Sequence, residues 1–239
     1  MRLDKLLADM QIGTRNEVKR YIRQGNVTVN GSCRVQPKQQ VNPMEQEICC
    51  FGKPLTYQKY VYYMFHKPGG CVTARKDQKY KTVMDYIPKS HSGLSPVGRL
   101  DLDTEGLLLI TNDGALSHNL LSPAKHVKKI YEVRIDGIVT EEDAALFAVG
   151  VEIGDSTKTK PAKLIIKKSA PVSEVEITIT EGRYHQIKRM FQAVGKEVVY
   201  LKRIGMGNLK LDETLSPGAY RELTAQEVAL LKEQGETYV

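Results

Sequence analysis

The sequence has no apolar run that approaches the roughly 20 residues needed to cross a bilayer as a helix. Its first residues, MRLDKLLADM, also lack the apolar segment of a secretory signal. The four cysteines include no C-x-x-C pair, and adjacent Cys49 and Cys50 suit neither a metal site nor a disulfide framework. These absences exclude a membrane-spanning protein and a disulfide-stapled secreted one. We therefore expect a cytoplasmic protein without a membrane partner, with reduced and mostly buried thiols.

Charge and composition indicate a globular protein with a polyanionic partner. Hydrophobic residues make up 41% of the 239 residues and charged residues 26%. This length accommodates one large domain, or a small domain joined to a medium one. The formal net charge of +7 favours nucleic acid as a partner. Net charge alone is weak evidence for such a partner. The stronger evidence is whether the basic residues lie on a recognisable structural element.

Two successive helices are predicted near the N-terminus. RLDKLLADM carries apolar residues at helical spacing, namely Leu3, Leu6, Leu7 and Met10. In TRNEVKRYIRQG, Thr14 and Glu17 have the spacing of a capping box, in which each side chain satisfies the other residue's backbone donor. The apolar stripe of this second helix consists of Val18, Tyr21 and Ile22. Gly25 is expected to end it.

A hairpin and a basic helix face complete the N-terminal pattern. Asn30-Gly31 separates two short β-prone runs in NVTVNGSCRV, which is the strongest short hairpin signal. The second helix carries four basic residues away from its apolar stripe: Arg15, Lys19, Arg20 and Arg23. On spacing alone, a solvated helix face and an RNA-binding face are equally good interpretations.

The remainder of the chain predicts a second, larger domain. GKPLTYQKY, residues 52–60, has no periodicity and predicts a linker, so we place the domains at 1–58 and 59–239. VYYMFHKP predicts a strand ended by Pro68. EVEITIT alternates apolar and polar residues as a half-buried strand does, and YHQIKRMFQAVG has helical spacing before Gly195. We therefore predict an α+β domain with a largely antiparallel sheet and flanking helices.

Three carboxylates lie close together in GRLDLDTEGLLLITNDG, residues 98–114: Asp101, Asp103 and Glu105. A calcium loop would need a closing bidentate glutamate, and Asn112 stands in its place. A phosphatase of the D-x-D-x-T type places its nucleophile after an apolar strand, whereas LLLIT follows the acids here. The remaining interpretation is one chemical acid and two structural ones. Composition alone does not identify which acid is chemical.

The N-terminal segment resembles a known RNA-binding family. RLDKLLA, followed by GTRNEVKRYIRQGNVTVNG, is similar to the S4 RNA-binding domain over roughly residues 1–50. In that family the second helix and its flanks direct basic residues toward structured RNA. The resemblance therefore implies RNA contacts for six residues: Arg2, Lys5, Arg15, Lys19, Arg20 and Arg23.

The acidic segment resembles the motif of pseudouridine synthases, in which G-R-L-D precedes T-x-G-L-L. KIYEV at 129–133 is similar to the family's K-x-Y element, and EGRYHQIKRMF at 181–191 is similar to its basic motif. HKPGGCVT at 66–73 resembles the family's first conserved strand. This likeness covers roughly residues 60–235. It implies an S4-type domain followed by a catalytic domain built on a largely antiparallel sheet with flanking helices.

The S4 domain places the resemblance in the branch that modifies ribosomal RNA. LSPAKHVKKIYEV, GRYHQIKRMFQAVG and LSPGAYRELTAQEV look most like the small-subunit (16S) enzymes, although large-subunit (23S) enzymes share most of these motifs. The expected partner is 16S ribosomal RNA, naked or in a partly assembled small subunit, and a monomer is expected. Two alternatives stay open: the same chemistry on 23S RNA, and an S4-type RNA-binding protein that has lost catalysis.

The implied reaction isomerises a uridine by breaking its C1′–N1 bond and rejoining the base through C5. No atom is gained or lost, so no cofactor is expected, and the sequence contains neither a P-loop nor a metal-ligand cluster. The target base must be extruded from its stack, at a cost of a few kcal/mol.

The resemblance also implies individual roles. Asp101 is the catalytic carboxylate, and Lys188 is the basic residue that pairs with it and favours its charged form. Tyr131 stacks on the target base. Arg99 projects toward the RNA backbone or into the space that the flipped nucleotide leaves. Phosphate contacts are expected from the basic motif, at Arg183, His185 and Arg189.

We predict that neutralising Arg15, Lys19 and Arg20 weakens RNA binding and lowers its salt dependence, because phosphate contacts act through counterion release. Binding titrations with ribosomal RNA over a range of salt concentrations measure both quantities. Unchanged affinity with an unchanged salt slope would mean that this helix face is only solvated.

Overall fold

The structure is a computed structural model and describes residues 1–88 and 91–236. Two compact units are present, Met1–Val61 with Pro88–Leu94, and Tyr62–Ile87 with Ser95–Val239. Within the first unit, the Ser92 amide donates to the Asp9 carbonyl at 2.9 Å. The sequence did not assign residues 88–94 to this unit, and the domain boundary placed after residue 58 stays a prediction.

The first unit begins with the two predicted helices, α1 (Leu3–Asp9) and α2 (Arg15–Arg23). The capping box is confirmed: Thr14 Oγ1 accepts from the Glu17 amide at 3.3 Å, and Glu17 Oε2 accepts from the Thr14 amide at 2.8 Å. Gly25 follows the helix end with φ +76°, a conformation that favours glycine. The buried core combines both helices with the following strands: Leu3, Leu6, Leu7, Val18, Ile22, Val27, Val29, Val41, Ile48 and Cys50.

The hairpin prediction is half correct. Asn30 and Gly31 form a tight turn with positive φ at both residues, and Val29 and Ser32 exchange backbone hydrogen bonds across it. The run after the turn is not a strand, because β1 (Val27–Val29) pairs instead with β2 (Ile48–Cys50). The intervening chain leaves the sheet and binds the start of α1, where the Leu3 amide donates to the Gln39 carbonyl at 2.9 Å.

The linker prediction is wrong for residues 53–57. Lys53–Pro54 forms β3, which pairs with β2, and Leu55 and Tyr57 pack against the core of the first unit. Leu55 also donates its amide to the Ile48 carbonyl at 2.8 Å. Residues 53–57 therefore belong to the first unit, although their composition is typical of a linker. Pairing with the edge strand β2 and packing on the core order this segment.

All four cysteines lie within the described residues and are free thiols. Cys50 and Cys71 are buried, and burial raises the pKa of each thiol above its ordinary value. Cys49 is half-buried, and Cys33 is exposed because it lies in the irregular chain that follows the Asn30-Gly31 turn. The expectation of mostly buried thiols thus holds for Cys50 and Cys71 and is wrong for Cys33.

The second unit is α+β, as predicted. Its strands are β4 (Tyr62–Lys67), β5 (Ser95–Pro96), β6 (Glu105–Thr111), β7 (Lys129–Asp136), β8 (Lys163–Lys168), β9 (Val172–Ile179), β10 (Glu197–Met206), β11 (Leu209–Lys210) and β12 (Tyr220–Glu222). Within the described residues these nine strands form one sheet, in the order β12-β4-β6-β10-β7-β9-β8, with β5 paired to β6 and β11 to β10. The pairing of β6 with β10 is parallel and the others are antiparallel, which confirms a largely antiparallel sheet.

The helices of the second unit are α3 (Gly114–Leu121), α4 (Glu141–Val149), α5 (Gln186–Ala193) and α6 (Ala225–Glu236), with 3₁₀ turns at Val83–Tyr86 and Pro123–Lys125. In the described part of the chain, no helix has the length and apolarity to cross a membrane. Helix α5 packs on β10 and buries Ile187, Met190 and Phe191. The rings of Phe191 and Phe147, from α4, meet edge to face with centroids 5.0 Å apart.

The LLLIT segment is a buried strand, as its composition predicts. All six residues from Gly106 to Thr111 in β6 are buried, and β4 beside it is buried throughout. Gly106 has φ +101°, and a Cβ atom there would lie 2.2 Å from the Arg203 carbonyl oxygen. Only glycine therefore permits β6 to begin its parallel pairing with β10 directly after the acidic segment.

We predict that Gly106→Ala lowers the free energy of unfolding by about 2 kcal/mol or more, because alanine meets both backbone strain and a backbone clash. For a unit of this size the melting temperature should fall by about 4–8 °C. Gly114→Ala is the matched control, since a Cβ atom there meets nothing within 4 Å. Equal melting temperatures for the two variants would contradict this account of the crossing.

Candidate active site

The three clustered carboxylates have three different partners. Asp101 Oδ1 lies 3.6 Å from His185 Nε2, Asp103 Oδ2 lies 2.6 Å from Lys188 Nζ, and Glu105 Oε2 accepts a hydrogen bond of 2.8 Å from the Tyr200 hydroxyl. Burial is the main cause that raises the pKa of Tyr200 to about 12, and the hydrogen bond to Glu105 contributes to the same shift. Because the acids do not converge on a common point, they do not form a calcium loop.

A buried lysine fixes the backbone of the acidic loop. The Lys67 side chain is fully buried at the end of β4, and its ammonium donates to three carbonyls: Thr104 at 2.8 Å, Pro68 at 3.1 Å and Leu102 at 3.2 Å. Burial lowers the pKa of Lys67 below its ordinary value. The nearby Cys71 thiol and, to a smaller extent, the carboxylates of the acidic loop oppose this shift. The ammonium and the loop thus satisfy each other's buried polar groups.

Thr73 supports the other end of the same loop. Its hydroxyl donates to the Leu100 carbonyl at 2.8 Å and accepts from the Leu100 amide at 3.1 Å. The Gly70 amide donates to the Leu102 carbonyl at 2.8 Å. The HKPGGCVT segment, in which the sequence indicated only a strand, therefore holds Asp101 from both sides.

One pocket of about 80 Å³ contains the predicted catalytic residues. Asp101, Tyr131 and Lys188, which come from three separate motifs, all line it. The lining also includes Arg99, Leu100, Thr104, Ile179, Gly182, Arg183, His185, Gln186, Ile187 and Leu201. Among the described residues, Asp101 is the single carboxylate in a lining that otherwise carries several cationic groups.

Lys188 differs from the sequence expectation in its partner. The resemblance implied a pair with Asp101, whereas both hydrogen bonds of the Lys188 ammonium go to Asp103, at 2.6 and 2.7 Å. The side chain of Asp103 is 69% exposed and free to reach toward α5, while His185 occupies the position beside Asp101. Partial burial raises the pKa of Asp103, but the hydrogen bonds and charge of Lys188 outweigh it, so the pKa is below its ordinary value.

His185 adopts an unusual backbone conformation at the start of α5. It has φ +47°, a left-handed conformation that is uncommon for residues other than glycine. Its carbonyl accepts from the Arg189 amide at 3.0 Å, and the preceding Arg183 amide donates to Gln186 Oε1 at 2.9 Å. These bonds hold the strained residue in place, with its imidazole next to Asp101.

Arg183 and Arg189 donate to protein acceptors in this structure. Arg183 contacts Asp155, Glu181 and the carbonyls of Thr157 and Lys158; Arg189 contacts Asp155 and the carbonyls of Ile153 and Tyr184. Together they fasten the segment 153–158 to the start of α5. Their predicted role as phosphate contacts stays a prediction, since their donors are largely occupied.

Tyr131 lies on β7, lines the pocket and is only 7% exposed. Its neighbour in the register of β10 is Arg203, which is 2% exposed and donates Nε to the Leu107 carbonyl at 2.8 Å. Lys129 is two residues before Tyr131 on the same strand face. Burial, together with the positive charge of Arg203, lowers the pKa of Lys129 to about 8, against the opposing charge of Glu181.

The predicted RNA-binding residues of the first unit are mostly exposed. Arg2 forms a bidentate pair with Asp4, at 2.9 and 2.6 Å. Arg2, Lys5, Arg15, Arg20 and Arg23 are exposed, and Lys19 is half-buried. Arg99 of the second unit is also exposed at the pocket. Their RNA contacts stay predictions.

Four residues of this region were missed by sequence reasoning: Lys67, Thr73, Tyr184 and Arg203. Lys67 carried a signal, because a lysine at the end of an otherwise apolar run requires a buried acceptor or a kink. Thr73 and Arg203 carried none, since their partners, Leu100 and Leu107, lie far from them in the sequence. Tyr184 carried none, since the sequence does not show that its ring is exposed.

Comparisons with known proteins agree with this architecture. The family profile described as RNA pseudouridylate synthase matches residues 61–193, and the S4 domain profile matches residues 1–46. An uncharacterized RNA pseudouridine synthase of Bacillus subtilis, YtzG, is 48% identical over 98% of this chain and 99% of its own length. The ribosomal small subunit pseudouridine synthase A of Haemophilus influenzae is 41% identical over 97% of this chain and 99% of its own.

A solved structure extends the likeness to three dimensions. The crystal structure of a pseudouridylate synthase superimposes with a TM-score of 0.69 at 40% sequence identity, covering 97% of this chain and 99% of that one. The resemblances stated from the sequence are thereby confirmed for both domains. With its S4 domain, this chain belongs to the RNA pseudouridylate synthase family.

Proposed function

We propose that this protein isomerises one uridine of small-subunit (16S) ribosomal RNA to pseudouridine, with Asp101 as the catalytic carboxylate. The observation that carries the proposal is the convergence of Asp101, Tyr131 and Lys188 in one pocket. The 16S substrate is supported by relatives that are about 40% identical over nearly the whole chain and are named for the small subunit.

The composition of the pocket fits an isomerase better than a hydrolase. Most glycoside hydrolases flank the scissile bond with two carboxylates and use an activated water. The described lining contains a single carboxylate, Asp101, and apolar walls from Leu100, Ile179 and Leu201. In the proposed isomerisation the C1′–N1 bond breaks and a C1′–C5 bond forms, while C5 loses a proton and N1 gains one.

Two basic side chains lie in the pocket with Asp101. The His185 imidazole is 3.6 Å away, and the Lys188 ammonium lines the same small pocket. Three roles are open to the Asp101 carboxylate: attack on the sugar, attack on the uracil ring, or removal of a sugar proton. Tyr131 offers the face of its ring to the flipped base, and exposed Arg99 is available to the RNA backbone.

The first unit is proposed to bind RNA without taking part in the chemistry. The exposed Arg15, Arg20 and Arg23 of α2 present a positive face, and phosphates are their natural partner. Ribosomal RNA as substrate would place the protein in the cytoplasm, acting as a monomer on naked RNA or on a partly assembled small subunit.

We predict that wild-type protein introduces one pseudouridine into 16S RNA and that Asp101→Asn introduces none. Site-resolved mapping of small- and large-subunit RNAs, each naked and as particles, measures this. Asparagine keeps the size and polarity of the side chain but cannot act as a carboxylate, and matched RNA affinity of the two proteins is the control. A mark on 23S RNA would overturn the substrate, and tight binding without any mark would favour a non-catalytic RNA-binding protein.

We further predict that Lys188→Ala lowers kcat at least about tenfold, because the pocket loses a preorganised positive charge. Asp103→Asn is the matched control: it removes the other half of the ion pair and leaves the ammonium in the pocket, so kcat should stay within about threefold of wild type. Single-turnover rates measured with saturating protein separate kcat from binding. Equal losses in both variants would mean that the ion pair, and not the ammonium, matters.

A further inference from the structure

Tyr184 is the most exposed aromatic residue beside the pocket. It is 72% exposed, and its ring stacks on the His185 imidazole with centroids 3.9 Å apart and an angle of 16° between the planes. Because the imidazole covers one face of the ring, the other face and the hydroxyl edge account for its exposure. The open face of the Tyr184 ring is a flat apolar surface exposed to solvent, and such a surface favours an aromatic partner.

The backbone holds this ring pair in a fixed orientation. Arg189 donates Nη1 to the Tyr184 carbonyl at 3.1 Å and its amide to the His185 carbonyl at 3.0 Å. Arg189 is itself paired with Asp155 at 2.6 Å. A surface that is already ordered loses little entropy on binding, so the ring is preorganised for a ligand.

The ring pair extends outward from the pocket. His185 lines the pocket and lies 3.6 Å from Asp101, whereas Tyr184 is not part of the lining. A flat group that stacks on the open face of Tyr184 therefore lies outside the pocket, next to the group held inside it.

We propose that Tyr184, backed by His185, forms a base-stacking subsite for a nucleotide adjacent to the target uridine. This inference rests on the proposed function. Extruding a uridine unstacks its neighbours, and an aromatic platform replaces part of the lost stacking for any base, since every base has a π-face. Arg99 and Lys188 in the pocket lining supply positive charge for the phosphates of the same strand.

The kinetic test compares Tyr184→Ala with Tyr184→Phe, which keeps the ring and is the matched control. Release of tritium from uridine labelled at C5 follows the isomerisation, with a full-length 16S transcript as the probe. Tyr184→Ala should raise KM about 5- to 150-fold, the effect of losing one stacked base, with kcat within about threefold of wild type. Tyr184→Phe should stay within about twofold of wild type in both constants. A fall in kcat at unchanged KM would mean that Tyr184 only supports His185, and would overturn the subsite.

Crosslinking tests the contact itself without turnover. Asp101→Asn protein is bound to the 16S transcript containing sparse 4-thiouridine and is irradiated, and the crosslinked residue and nucleotide are mapped. We expect a crosslink to Tyr184 that persists with Tyr184→Phe and is lost with Tyr184→Ala, at a nucleotide next to the modified uridine. RNA that binds without a crosslink at residue 184 overturns the subsite, even if wild-type protein makes pseudouridine. A crosslink at residue 184 without tritium release by wild-type protein would contradict the proposed isomerase activity but support the stacking contact.

Discussion

The ammonium of Lys67 is fully buried, and its three hydrogen bonds go to the backbone carbonyls of Pro68, Leu102 and Thr104. Burying a cation costs several kcal/mol unless its donors are satisfied. Two of the three acceptors, the carbonyls of Leu102 and Thr104, belong to the acidic loop, so movement of the loop would cost the buried ammonium two hydrogen bonds. Asp101 is thereby presented by a backbone whose position is set from β4, the strand that carries Lys67.

Arg203 connects this loop to the strand of Tyr131. In β10 it is registered with Gly106 of β6 on one side and with Tyr131 of β7 on the other. The absence of a side chain at Gly106 allows the close approach of these backbones. The separation of Asp101 and Tyr131 therefore depends on the sheet, and a change in the β6–β10 register would displace one relative to the other.

The cationic side chains predicted to meet RNA fall into two groups by their contacts. Arg183 and Arg189 pair with Asp155 beside the start of α5, and Lys188 pairs with Asp103. Arg15, Arg20 and Arg23 on α2 and Arg99 at the pocket are exposed. In the first group Arg183 and Arg189 bind protein acceptors and Lys188 also lines the pocket, whereas the second group leaves its charge available to a polyanion. A net charge of +7 does not distinguish the two groups.

Local patterns predicted the local structure well. The Thr14–Glu17 capping box, the buried strand LLLIT and the alternation in β9 depend on neighbouring residues, and the structure contains each of them. The motif resemblance also singled out Asp101, Tyr131 and Lys188, which share one pocket. Their catalytic roles remain proposals, because a shared pocket places residues together without testing what each one does.

Partners far apart in the sequence were decided by the tertiary structure. The strand paired with β1 comes from residues 48–50 and not from the run after the turn, because the intervening chain binds α1 instead. Lys188 binds Asp103, since the place beside Asp101 is occupied by His185. Sequence alone determined the helices α1, α2 and α5, the strands β1, β4, β6 and β9, and the family. Tertiary structure decided which carboxylate meets which cation, because that choice depends on exposure and distance across the folded chain.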